Sequence, residues 1–119
     1  MTIAVIRHEN LHPDADLLAL GIEFRKAWAA EREAFVADTI GNSTPEIDAA
    51  HDRCGELARQ IQEHHPATLE GVKVAAMVWG WLHYLSASPG DYEGADPGST
   101  LDERASHAVM SFLLKDVAA

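Results

Sequence analysis

His51 and Cys54 stand three positions apart in the stretch DAAHDRCGELARQI, so on a helix an imidazole and a thiol would share one face. That pair serves two chemistries, a base activating a nucleophilic thiolate or half of a transition-metal site. Neither is complete in the local sequence. The acids Asp52 and Glu56 flank Cys54 and raise a thiol pKa rather than lower it. No Gly-x-Ser-x-Gly elbow and no glycine-rich phosphate loop occurs in the chain. Cys54 also falls on an apolar seam, where the ordinary role of a cysteine is that of a small buried side chain.

The seven histidines, His8, His12, His51, His64, His65, His83 and His107, raise the metal question more broadly. Helical-bundle di-metal carboxylate sites are built on Glu-x-x-His pairs on two helices; the one such pair in the chain, Glu9 with His12, lies ahead of the first predicted helix, and the four predicted helices carry none. The nearest imitations are Asp48 with His51 and Glu103 with His107, the second at the wrong offset. His64-His65 ahead of Pro66 is a pair that picks up metal adventitiously. The expectation is therefore no catalytic residues, no resident metal and no other cofactor.

These side chains must be positioned by a domain of limited size. At 119 residues the chain suits one domain that buries a single core without staples. Nine Lys and Arg against nineteen Asp and Glu give a net charge of −10. Such a field repels phosphate backbones and anionic lipid, which disfavours direct nucleic-acid or membrane binding. The single cysteine rules out an intramolecular disulfide and a thiolate-rich zinc site. The apolar run Ile3 to Ile6 is too short for a signal peptide and lacks a preceding basic stretch. No run approaches the roughly 18 apolar residues needed to span a membrane. A cytoplasmic protein is expected.

Four helices are predicted, at about 14–38, 44–65, 69–87 and 100–117, after a short extended lead-in over residues 1–12. Asp14 is the expected cap of the first, whose seam runs Leu17, Gly21, Phe24, Trp28, Glu31 and Phe35 in three-four alternation. Ser43 with Glu46, or Thr44 ahead of Pro45, opens the second, with the seam Ile47, Ala50, Cys54, Leu57, Ile61 and His64. Pro66 ends that helix and Thr68 caps the third. Thr100 with Glu103 forms a second capping box, opening a helix with apolar positions Leu101, Ala105, Ala108, Val109, Phe112 and Leu113. The acidic, Gly- and Pro-rich stretch 88–99 reads as an exposed loop.

The third helix, with KVAAMVWGWLHYL at its heart, is apolar nearly all round. At about 100° per residue, Val72, Ala75, Ala76, Trp79 and Leu82 take one side and Val74, Met77, Val78, Trp81, Tyr84 and Leu85 the other. Such a helix is either central in its domain or covered by another chain. Met77, Trp81, Tyr84 and Leu85 are thus the predicted interface, because amphipathic aromatics mark buried edges and protein contacts alike. Gly80 costs helix stability and so predicts a close crossing.

The stretches DADLLALGIEFRKAWAAERE, DAAHDRCGELARQI and PATLEGVKVAAMVW together resemble small uncharacterised helical proteins of alphaproteobacteria, often encoded among prophage and other mobile-element genes. The resemblance covers about residues 14 to 80, and the third helix departs from it by being more aromatic. It implies a bacterial cytoplasm and a phage-related role, and it assigns no site residue.

The sequence thus predicts an all-α, four-helix bundle-like domain. Its first two helices form a long antiparallel hairpin, the third is central and the fourth closes the core. The function expected is that of a non-enzymatic interaction protein, a homodimer or a subunit docking on another protein through apolar helix faces. A second reading is an acidic inhibitor that mimics nucleic acid, with Glu31, Glu33, Asp38, Asp91, Glu93 and Asp96 as its acids; a third is a metal-dependent helical-bundle enzyme.

Overall fold

A computed structural model of the chain describes residues 12–37, 45–83 and 98–115. Four helices fill these segments: α1 (Ala15–Ala37), α2 (Pro45–Gln62), α3 (Leu69–His83) and α4 (Leu101–Leu114). No strand occurs among the described residues, and no helix in them is long and apolar enough to cross a membrane. The predicted all-α architecture is the one observed. The extended lead-in, apart from His12, and the Ser43–Glu46 capping box lie wholly or partly outside the described residues, as does all of the acidic loop before Gly98.

The seam predicted for α1 is its buried face through Leu17, Phe24, Trp28 and Glu31, whereas Phe35 remains 46% exposed. Ile47, Cys54, Leu57 and Ile61 do the same for α2. Packing of α1 on α2 forms the antiparallel hairpin, so that Glu31 in the second half of α1 meets His51 in the first half of α2. The relation of α1 to α3 is parallel, because contacts advance together along both helices. Asp14 meets Thr68, Gly21 faces Val74, Gly80 faces Trp28 and Glu31 meets Trp81.

Small residues set how closely these parallel helices sit. A side chain on Gly21 would run into Val74 Cγ2 at 2.6 Å, and one on Gly71 would overlap the Asp14 carboxylate. The close backbone crossing predicted from Gly80 is not found there, because its near neighbours are side chains. A Cβ there would stand 3.2 Å from Leu114 Cδ1 and 3.3 Å from Trp28 Cη2.

Asp14 departs from its expected role. Its backbone carbonyl accepts from Leu18 N as α1 begins, but its carboxylate crosses the fold. There it accepts from the Ala67 and Thr68 N–H groups at 3.0 and 2.9 Å and from the Thr68 hydroxyl. Thr68 Oγ1 in turn accepts from Gly71 N at 3.1 Å, which is the predicted cap of α3. One buried carboxylate therefore ties the first turn of α1 to the start of α3.

The fourth helix does not close the core as predicted. Its first turn carries the predicted capping box, with Thr100 Oγ1 accepting from Glu103 N and the Glu103 carboxylate accepting from Thr100 N. Only Leu113 and Leu114 of the helix are buried, Leu114 against Gly80, and Met110 packs against the core as well. Of the predicted apolar positions Leu113 is buried, whereas Leu101, Ala105, Ala108, Val109 and Phe112 face solvent.

Accepting the Thr68 hydroxyl hydrogen bond, followed by the Ala67 and Thr68 N–H groups, holds the Asp14 pKa below the ordinary carboxylate value against the opposing effect of burial. A lowered folded-state pKa means that the tie stabilises the fold above the unfolded carboxyl's value near about 3.9 and is lost as pH falls through the folded one. Asp14→Asn is therefore expected to lower the thermal midpoint at pH 7, with the gap to the parent chain narrowing towards pH 3 in circular-dichroism melts. A gap independent of pH would show that the carboxylate charge is not what binds α3.

Candidate functional site

Of the four predicted interface residues, Met77 and Trp81 lie inside the chain, each 5% exposed, and Tyr84 and Leu85 fall outside the described residues. The inward side of α3 is the Val74, Met77, Val78 and Trp81 side, whereas Val72 and Leu82 on the other side are 37% and 55% exposed. Trp79 is half-buried and packed against the core, its ring stacked on His83 with centroids 4.2 Å apart.

Around Trp81 the structure gathers a buried polar cluster. Glu31, only 2% exposed, accepts from Trp81 Nε1 at 2.7 Å through Oε1 and from His51 Nδ1 at 2.9 Å through Oε2. The His51 ring lies against the Trp81 indole with centroids 5.3 Å apart and is half exposed on its outer side. Phe24 meets the same indole edge-on at 5.9 Å. A buried carboxylate needs donors on both oxygens, and here an indole and an imidazole supply them.

The buried Cys54 thiol is acted on by the same carboxylate. Burial first, then the hydrogen bond to Glu31 and that residue's charge, push the thiol from 9.0 up to about 12. The acids next to Cys54 in sequence, Asp52 and Glu56, are exposed; the acid that acts on the thiol comes from another helix. A thiol raised this far is a donor and a packing group rather than a nucleophile at neutral pH.

The histidine pairs separate as well. Glu103 is spent in the capping box, and His107 Nδ1 shares a hydrogen bond with Ser111 Oγ at 3.3 Å. His12 Nδ1 accepts from Asp14 N, while His64 and His65 border a shallow polar pocket beside Asp14 and Asp16. Among the described residues, no three His, Cys, Asp or Glu side chains gather as a metal-binding group. Of the acids considered for a nucleic-acid mimic, Glu31 is interior and so is lost to that role, Glu33 is exposed, and Asp38, Asp91, Glu93 and Asp96 lie outside the described residues.

The surface offers a different feature. Leu101, Ala105, Ala108, Val109 and Phe112 lie within about a third of the circumference of α4, on the side opposite His107, Met110 and Leu114, which face the core. Leu101 is 90% exposed, Val109 57% and Phe112 60%. Lys115 stands 5.1 Å from the Phe112 ring centroid, a cation laid over the edge of the stripe. The spacing was legible in the sequence, but its direction was not, because α4 carries apolar residues on both sides.

Compared with known proteins, the chain matches no family model, no curated protein and no solved structure.

Two outcomes follow from the Glu31 centre. Glu31→Ala strands the Trp81 N–H and leaves a void, so urea unfolding is expected to show a loss of about 2–4 kcal/mol; a loss under about 1 kcal/mol counts against the network as a structural element. Because the folded thiol pKa lies above the unfolded one, the contribution of Cys54 holds below 9.0 and declines as pH rises towards about 12. At pH 8 an aromatic disulfide reagent should label Cys54 only as fast as the chain unfolds, and rapid labelling of the native protein would contradict the buried, protonated thiol.

Proposed function

We propose that this protein is a non-enzymatic interaction protein that forms a homodimer through the outer face of α4, in the bacterial cytoplasm that its sequence resemblance implies. The observation that carries the reading is the apolar stripe Leu101, Ala105, Ala108 and Phe112 turned to water on a helix already seated by its other side. An amphipathic helix turns its apolar side to a partner, and α4 has a second such side with none in the fold described.

The stripe fits a second copy of itself. Its positions are symmetric about the point between Ser106 and His107, so in an antiparallel pair related by a two-fold axis each Leu101 falls opposite a Phe112 and each Ala105 opposite an Ala108. Large side chains then close the two ends, while alanines let the helix axes approach in the middle. Spacings of four, three and four are those of a coiled-coil seam. The net charge of −10 keeps the free chain soluble and opposes non-specific association, which leaves the matched stripe to select the partner.

A pair of four-turn helices buries less than a standard interface, so the dissociation constant should be on the order of 10 µM. Sedimentation over a concentration series spanning that value should pass from the mass of one chain to that of two. Phe112→Glu, at an exposed position, should hold the protein at one chain with unchanged helix content. A monomer throughout the series, or a dimer indifferent to Phe112→Glu, overturns the reading.

A further inference from the structure

A second surface feature is independent of the stripe: a cavity of about 520 Å³ opens between α1 and α3, bordered at one side by Leu113 of α4. We infer that this cavity binds a free medium-chain carboxylate, with its acyl chain along the groove and its head group held by Arg25 and Lys26. Its volume falls in the range of small-molecule sites, roughly 300–1,000 Å³. Leu18, Ile22, Val74, Met77 and Leu113 make the walls apolar, and Gly21 brings α1 close enough to Val74 to form a floor. The lining of α3 from Glu70 to Met77 covers about 10 Å of helix, the length of roughly eight to ten extended methylenes.

The charge around the groove selects the head group. Arg25, Lys26 and Lys73 line it, three of the nine Lys and Arg in the chain, against the single acid Glu70. Glu23, 3.9 Å from Lys26, partly offsets that ammonium from outside the lining. Elsewhere the molecule is strongly acidic, so this is a local positive rim on a negative body. A polyanion such as a nucleic acid would meet the repelling field of that body along its length, whereas a compact anion with an apolar tail meets only the rim. A neutral chain would gain nothing from Arg25 and Lys26, and a cationic amphipath would be repelled by them.

Because α1 and α3 run parallel, Arg25 and Lys26 stand at the Met77 end of the groove and Lys73 and Glu70 towards the other. The chemistry is thus polarised, with two cations and no acid of the lining at the Met77 end, and it is there that a single carboxylate would sit.

Titration calorimetry on the full chain with decanoate, decanol and decyltrimethylammonium tests this. Decanoate should bind with a dissociation constant of about 0.1 mM, and the other two at least about tenfold more weakly. Arg25→Ala with Lys26→Ala should weaken decanoate roughly five- to tenfold, whereas Arg59→Ala, which removes an exposed cation from α2, should leave it unchanged. Ile22→Glu, at a wall position 59% exposed and so tolerated by the fold, should abolish binding. Absence of decanoate binding, equal binding of decanol, or affinity untouched by the Arg25 and Lys26 changes overturns the proposal.

Discussion

A carboxylate taken out of water must be met by donors, and that requirement fixes how α1 lies on α3. Asp14 and Glu31 are both buried and stand seventeen residues apart on one helix, about 25 Å along its axis. The first finds its donors in the Ala67 and Thr68 amides and the Thr68 hydroxyl, the second in the Trp81 indole. A slip of either helix by one turn would strand both acids at once. Between the two anchors Gly21 faces Val74, and at the first anchor Gly71 faces Asp14; a Cβ on either glycine would collide. The parallel register of α1 and α3 follows from that fixed pair.

Helix existence was legible because the apolar spacing and the Thr68 and Thr100 caps are local signals. The hairpin was legible because two complementary seams are joined by a short glycine-bearing linker. Tertiary direction was not. Asp14 reads in sequence as the cap of its own helix, and only the folded chain shows its carboxylate spent on a turn more than fifty residues away. Glu31 falls on the predicted α1 seam, yet nothing local names Trp81 and His51 as its partners. On α3, periodicity separates two faces but does not say which one turns inwards; the Met77 and Trp81 side does. On α4 the same ambiguity has the opposite outcome, since Leu113, Leu114 and Met110 outbid the longer apolar row for the core.

The interior and the surface consequently divide their labour. Inside, the imidazole that looked most like a reagent is spent on the Glu31 carboxylate, and Cys54 is held protonated first by burial and then by that same acid. Outside, what distinguishes the molecule is apolar area set against a strongly acidic background, in a row along α4 and in a groove with a basic rim.

The bond between Asp14 and Thr68 joins positions 54 apart in the chain, whereas Glu31 and His51 are separated by only 20. Closing the longer loop in an open coil costs more entropy, and most of that cost disappears once the hairpin has formed and carried residue 67 back beside residue 14. Connectivity thus favours an order of assembly in which the two-helix turn precedes the tryptophan-bearing helix, with the Asp14 carboxylate as the latch where the ends meet.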